Sequence, residues 1–190
     1  SSIKEMRKFP EVIILLIFCT SSFGIILTIY PAFLNDNGMT ATDILMLYFV
    51  FGIARVASLA LASKFARKTS QTLIAATIAV SIGLGISVIA DSIVTFGIAL
   101  VLMGFGFSIF FPLTLEIILS KTRKGISGKI IGAYETVFGM GWAIGPTIGG
   151  PITQSFGNET PYLVFGVIGV GITILAIISR KKLEPQKIVY

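Results

Sequence analysis

Long apolar runs alternate with short polar segments along the whole chain. Each run is about 18 to 27 residues long, enough for an α-helix to cross the hydrocarbon core of a bilayer. Backbone groups find no hydrogen-bond partners in lipid, so each run is predicted to be helical. The pattern predicts six transmembrane helices, at residues 12–34, 44–63, 71–90, 93–119, 130–156 and 162–180.

The composition places the chain among integral membrane proteins rather than soluble domains. Of its 190 residues, 54% are hydrophobic and 13% are charged, with a mean hydropathy of +0.93. One cysteine, Cys19, excludes an internal disulfide. The absence of histidine leaves little material for a metal centre or a hydrolytic triad. We therefore predict that the protein is not an enzyme and has no metal or cofactor.

The positive charges indicate a topology. The net charge is +6, and all of the 15 Lys and Arg residues except Arg55 lie at the N-terminus, in the second and fourth loops or in the tail. By the positive-inside rule these regions are cytoplasmic, including both termini, so nucleic-acid binding is not predicted. The short connections also predict that consecutive helices lie side by side.

Arg55 lies in the middle of the second apolar run, roughly 13 Å along the helix from Lys64. A central Arg costs about 2.5 to 3.5 kcal/mol, so it should face the protein interior or a watery cavity. One interpretation is contact with an anionic substrate or a carboxylate. The alternative is an ion pair that only fixes helix packing.

Two acidic residues lie within apolar runs. Glu135 is six residues beyond Lys129, roughly 9 Å from the cytoplasmic edge, and is predicted to couple transport to protons or substrate. A static pair with Arg55 or a cytoplasmic gate contact is the alternative. Glu116 lies close to Lys121 and is more typical of an interfacial carboxylate. A transport role is therefore the alternative interpretation of Glu116.

Helical spacing adds two aromatic residues to the predicted cavity. Tyr48 precedes Arg55 by seven residues on one helix face, and Trp142 follows Glu135 by seven residues on another. Trp142 also lies away from the membrane interfaces, where Trp normally anchors a helix. Core packing is the alternative interpretation for both residues.

The stretch Gly132 to Gly150 has six glycines and one proline in a segment of membrane length. Gly141, Gly145 and Gly149 are spaced four apart, which predicts a groove that admits a neighbouring helix. Pro146 removes a backbone hydrogen bond to Trp142 and predicts a bend there. Pro112 predicts a similar bend in the fourth helix.

The spacing of Gly132, Gly141, Gly145-Pro146 and Gly149-Gly150 resembles the antiporter signature, motif C, of the major facilitator superfamily. In that family the signature lies in the fifth helix of a six-helix half, its position here. The resemblance implies an all-α membrane protein in which residues 1–190 form one six-helix bundle, half of a twelve-helix carrier. Gly132, Gly150 and the other signature residues would serve helix packing and hinging.

A second family signature resembles residues 59–68, but only in part. The basic positions are kept, whereas Leu59, Ser63 and Ala66 replace Gly, Asp and Gly. The resemblance implies a cytoplasmic gate loop formed by Lys64, Arg67 and Lys68. Leu100 also stands where the N-terminal half of the family has Arg, which favours helices seven to twelve.

The resemblance implies a secondary active transporter that works by alternating access, as a proton-coupled antiporter exporting drugs or metabolites. A proton-coupled importer of a sugar or an organic anion is the first alternative. A complete small membrane protein that dimerises or anchors partners without transport is the second. The expected partners are the lipid bilayer of the cell membrane, a small-molecule substrate, protons and the other six-helix half, from the same polypeptide or a homodimer mate.

Overall fold

The computed structural model describes residues 6–122 and 125–186. Regular structure in these residues is helical, without a strand. The helices are α1 Pro10–Thr28, α2 Tyr30–Asp36, α3 Ala41–Ala60, α4 Ala62–Phe65, α5 Thr69–Ile89, α6 Ile93–Ser120, α7 Ser127–Phe156 and α8 Thr160–Ile178. A 3-10 turn, Ala66–Lys68, joins α4 to α5.

Each predicted transmembrane segment lies in a helical region, and five helical segments of the described chain are long and apolar enough to cross a membrane. The prediction of an all-α membrane protein is confirmed. The predicted fifth segment, 130–156, lies within α7, which is 30 residues long but is not among those five. Its glycines, prolines and hydroxyl residues make it the least apolar of the long helices.

The first predicted segment, 12–34, is not one helix. The helix is interrupted at Ile29, between the end of α1 and the start of α2. Pro31 lies in the first turn of α2 and has no N–H to donate to the carbonyl of Leu27. The Ile29 N–H still bonds to the Ile25 carbonyl at 2.9 Å, so the break is confined to one position.

The bundle is built mainly from helices that are not consecutive in the chain. In the described residues α1 packs most extensively on α7, α3 on α6, and α5 on both α6 and α8. The prediction that consecutive helices lie side by side therefore holds for the pair α5 and α6. It is wrong for the pair α1 and α3, and the pair α6 and α7 and the pair α7 and α8 make only limited contact. A short connection brings two helix ends together, whereas the faces with small residues determine which helices pack along their length.

Loops predicted on the same side of the membrane meet at the same end of the bundle. Asn158, after α7, donates to the carboxylate of Asp36 in α2 at 2.7 Å. At the opposite end the Lys182 ammonium pairs with the carboxylate of Glu11, and Lys121 donates to the Lys182 carbonyl at 2.7 Å. The basic segments therefore converge at one end of the bundle.

Candidate functional site

The glycine groove of α7 holds α1. A Cβ on Gly145 would lie 2.8 Å from the carbonyl carbon of Ser21 and 3.1 Å from its Cα. A Cβ on Gly141 would lie 3.1 Å from the Cβ of Thr20. The Ser21 hydroxyl also donates to the Gly141 carbonyl at 2.8 Å. We call this contact between backbones the α1–α7 seam.

The seam is reciprocal, because α1 contributes a glycine of its own. A Cβ on Gly24 would lie 2.7 Å from Cδ1 of Trp142 and 3.0 Å from Cδ of Pro146. Proline at 146 leaves the Trp142 carbonyl without its helical donor, and this carbonyl faces Gly24. The absence of a side chain at Gly24 thus gives the proline-modified segment of α7 room against α1.

The remaining signature glycines have different surroundings. A Cβ on Gly149 would meet the end of the Ile29 side chain, at 2.9 Å from its Cδ1. Apart from the local backbone of α7, no described atom would lie within 4 Å of a Cβ on Gly132 or Gly150. These two glycines therefore do not contribute to the seam within the described bundle, and their role in packing or hinging stays a prediction.

A cavity of about 260 Å³ opens beside the seam, between α1, α3, α6 and α7. We call it the Arg55 cavity, because the half-buried Arg55 contributes its charge. The other residues that line it are Cys19, Thr20, Phe23, Leu59, Phe107, Ser108, Phe111 and Phe138. Four of its nine lining residues are therefore phenylalanines.

The guanidinium of Arg55 is held by one hydroxyl and two rings. Nε donates to the Ser108 hydroxyl at 3.2 Å. The central guanidinium carbon lies 4.8 Å from the ring centroid of Phe23 and 5.7 Å from that of Phe51. Such cation–π contacts stabilise a charge by about 0.5 to 2 kcal/mol, which offsets part of the cost of its depth.

Arg55 has no carboxylate partner within the described residues. A guanidinium has five N–H donors, and Ser108 is the partner that the described residues supply. The remaining donors are thus available to water or to a ligand in the cavity. An ion pair that only fixes helix packing, the alternative interpretation of Arg55, is not formed in this part of the chain.

The rings around Arg55 form one aromatic cluster. The ring centroid of Phe23 lies 5.3 Å from that of Phe107 and 6.3 Å from that of Phe51. Trp142 adjoins Phe23 at 5.8 Å, and Tyr48 adjoins Phe51 at 6.0 Å. Tyr48 and Trp142 therefore lie at two edges of the cluster that stabilises Arg55, and neither lines the Arg55 cavity itself.

Glu135 lies near this site without entering it. Its side chain is exposed and does not line the Arg55 cavity, whereas Phe138, one turn further along α7, does. The preceding residue, Tyr134, is buried, and its hydroxyl lies 2.8 Å from that of Thr114. Among the described residues Glu135 has no ion pair with Arg55, so the predicted static pair is absent there.

The α6 candidates lie one helical turn apart. Pro112 removes the hydrogen bond to the carbonyl of Ser108, the residue whose hydroxyl accepts from Arg55. Glu116 is exposed on the same helix. Among the described residues Glu116 has no ion pair with Lys121, whose ammonium donates to the Lys182 carbonyl instead.

The residues predicted to form a gate loop contribute to the lining of a second cavity, of about 530 Å³. Lys64, Arg67 and Lys68 line it together with residues of α5 and α6. We call it the basic cavity. It lies at the end of the bundle where the basic segments converge.

Sequence reasoning missed most of the aromatic cluster. Phe51 precedes Arg55 by four residues, so helical spacing alone could have identified it. Phe23, Phe107 and Ser108 come from other helices, and their spacing in the chain has no relation to Arg55. Only the packing of α1, α3 and α6 brings them together.

The fold and the site define a helical membrane protein that spans the bilayer several times and encloses a charged, aromatic-lined cavity. Residues 3–189 match the Major Facilitator Superfamily. The chain belongs to this family, which consists of transporters rather than enzymes, as its motif C predicted.

Two curated relatives match the chain. A multi-drug resistance efflux pump PmrA homolog of Lactococcus lactis subsp. lactis (strain IL1403) is 26% identical over an alignment of 175 residues that covers 88% of this chain and 43% of that protein. The human MFS-type transporter SLC18B1 is 39% identical over 51 residues, which is 27% of this chain and 11% of that protein. The chain thus spans less than half the length of these relatives.

Proposed function

We propose that this chain forms one six-helix half of a twelve-helix carrier that exports drugs or metabolites in exchange for protons. The Arg55 cavity supports the proposal, because it combines aromatic walls with a cation in the middle of a membrane helix. Similarity to a protein named as a multidrug efflux pump supports the direction of transport. Alternating access then arises as two such halves rock about a midplane site.

The orientation belongs to the same proposal. The end that carries Lys121, Lys182 and the basic cavity faces the cytoplasm of a multi-pass cell-membrane protein. Both termini then lie inside. A cysteine introduced at Lys181, in a variant with Cys19 replaced by Ser, should react with an impermeant maleimide only after cells are opened. Labelling of intact cells would reverse the orientation.

Glu135 is the residue that we assign to proton coupling. It is an exposed carboxyl within a helix of the bundle, and Phe138, one turn away, lines the Arg55 cavity. A carboxyl in this position can exchange protons with a watery pathway between two halves of the carrier. Glu116 is the second candidate, because it is exposed on α6.

Replacement of Glu135 by Gln in the native protein tests the coupling. In liposomes, the uptake of ethidium driven by a pH gradient should be abolished, while the exchange of ethidium at equal pH remains measurable. Glu159→Gln, the same change in a loop, is the matched control and should retain driven flux. If driven flux survives in Glu135→Gln, the coupling assignment is wrong, and Glu116→Gln is then the decisive variant.

A proton-coupled importer of an organic anion is the second candidate function, and one observation favours it. The Arg55 guanidinium lines the cavity without a carboxylate partner in the described residues, so it can contact an anionic group. Arg55→Lys should weaken the binding of anionic ligands and spare that of neutral or cationic ones. An equal loss for all ligands would favour a structural role for Arg55.

A further inference from the structure

The basic cavity has an amphipathic lining. Three cations, Lys64, Arg67 and Lys68, lie at one end, beside the turn between α4 and α5. The walls are made by the aliphatic or aromatic side chains Phe65, Ala75, Ala76, Ala79, Phe105 and Ile109. Gln71 and Thr72 complete the lining, which includes no acidic residue among those described.

The cations are not neutralised by the protein. None of the three has a carboxylate within ion-pair distance among the described residues. In the family signature an acid stands just before these cations. In this chain that position, between the end of α3 and Lys64, is Ser63, which is exposed. Neighbouring like charges repel one another, so an anion at this place lowers their free energy.

The apolar part of the cavity runs along α5, which belongs to one of the helical segments long and apolar enough to cross a membrane. Ala79 is 11 residues beyond Lys68 on α5, a distance of about 16 Å along a helix. The cavity thus runs from the depth of lipid headgroups to that of acyl chains. A soluble anion would use only its cationic end, whereas a lipid would use both parts.

We propose that the basic cavity binds an anionic phospholipid of the cytoplasmic leaflet. Its phosphate contacts Lys64, Arg67 and Lys68, and an acyl chain lies along Ala75 and Ala79 of α5. Anionic headgroups attract each nearby Lys or Arg by an amount equivalent to about fivefold in affinity. In a gate loop the three cations would contact the partner half of the carrier. Here they contact the bound lipid instead.

The test is a titration of the purified native protein with dioleoylphosphatidylglycerol, followed by native mass spectrometry. The variant Lys64→Gln/Arg67→Gln/Lys68→Gln should bind this lipid about a hundredfold more weakly. Its matched control is Lys129→Gln/Arg180→Gln/Lys181→Gln, which removes the same side chains at exposed positions away from the cavity. The control should bind within a fewfold of the unmodified protein, and both variants should remain monodisperse.

Two further arms distinguish the source of the anion. Glycerol 3-phosphate should fail to displace the lipid, and Ala79→Trp, which fills the apolar part without a change of charge, should weaken lipid binding at least tenfold. Equal losses in the two triple variants would overturn the proposal, as would displacement by glycerol 3-phosphate. Unchanged lipid binding together with lost transport in the cavity variant would overturn it in favour of a gate contact.

Discussion

The α1–α7 seam and the Arg55 cavity meet on α1 but are built in opposite ways. Gly24 packs against the backbone of α7, whereas its neighbour Phe23 covers the Arg55 guanidinium. The seam consists of backbone atoms and a few closely packed side-chain atoms, and it leaves little room for added volume. The cavity consists of side chains around one charge and leaves space. The seam between α1 and α7 nevertheless positions Phe23 and Phe138, two of the rings that line the cavity.

The largest effect is expected for Gly145→Ala in the seam. The new Cβ would lie 2.8 Å from the carbonyl carbon of Ser21, and a backbone cannot move aside as a side chain can. We expect a destabilisation of about 3 kcal/mol, at the upper end of the range for overpacking. Unfolding of the purified protein by dodecyl sulfate would measure it.

Gly139→Ala is the matched control for this substitution. Gly139 lies on the same helix, and apart from the local backbone of α7 no described atom would lie within 4 Å of its new Cβ. The control should be as stable as the unmodified protein or slightly more stable. Equal destabilisation by both variants would mean that glycine in α7 serves the helix itself rather than the seam.

The next largest effect is expected for Arg55→Leu, which removes the charge from the cavity. We expect at least a tenfold loss in the transport of an anionic dye, fluorescein. The free energy of unfolding should change little, because the variant loses the contacts of Arg55 but also removes a charge that is costly to bury. Transport by cells and unfolding by dodecyl sulfate measure the two quantities. Arg180→Leu, at an exposed position, is the control and should transport normally. A loss of stability with intact transport would contradict the separation of cavity from seam.

Gly149→Ala should have a smaller effect than Gly145→Ala, although both glycines belong to the same row. Its Cβ would lie 2.9 Å from Cδ1 of Ile29, the flexible end of a side chain. We expect a destabilisation of about 1 kcal/mol, relieved in the double variant with Ile29→Val. The free energies of unfolding of the unmodified protein, the two single variants and the double variant form a double-mutant cycle. An undiminished cost in the double variant would place the strain elsewhere.

The smallest effect is expected for Ser108→Ala, which removes the hydroxyl that accepts from Arg55 at 3.2 Å. A hydrogen bond to a charged group contributes about 1.5 to 3 kcal/mol, but water in the cavity can replace this one. We therefore expect a change of about threefold in the dye concentration for half-maximal transport. Ser155→Ala, which is exposed, should show none. A change as large as that of Arg55→Leu would mean that Ser108 alone orients the guanidinium.

The two regions also differ in how far sequence predicted them. Glycines at 141, 145 and 149 repeat every four residues, and a helix turns such a repeat into one face. A groove can therefore be predicted before its occupant is known, but nothing in the spacing identifies α1 as the helix that enters it. The interruption at Ile29 does not follow from the apolar pattern, because a proline can also be accommodated within a membrane helix.

For the cavity, the depth of Arg55 in an apolar run predicted that it must avoid lipid, because a charge in hydrocarbon is costly. Helical spacing predicts Tyr48 and Trp142 in the same cavity, but they lie at the edges of the aromatic cluster. Phe23 and Phe107 could not be predicted, since their contacts depend on the relative rotation of separate helices. Helical spacing defines faces within one helix and carries no information about which faces meet.

The sequence by itself determined the membrane-spanning class, the positions of the helices and the family, because hydropathy and motif spacing are local properties of the chain. Tertiary structure alone decided that α1 packs on α7 and α3 on α6, and that Phe23, Phe51 and Ser108 surround one guanidinium. The physical reason is that helices in lipid gain little from burying apolar surface. Close packing of small residues and the placement of a few polar groups therefore select one arrangement among many with equal hydropathy.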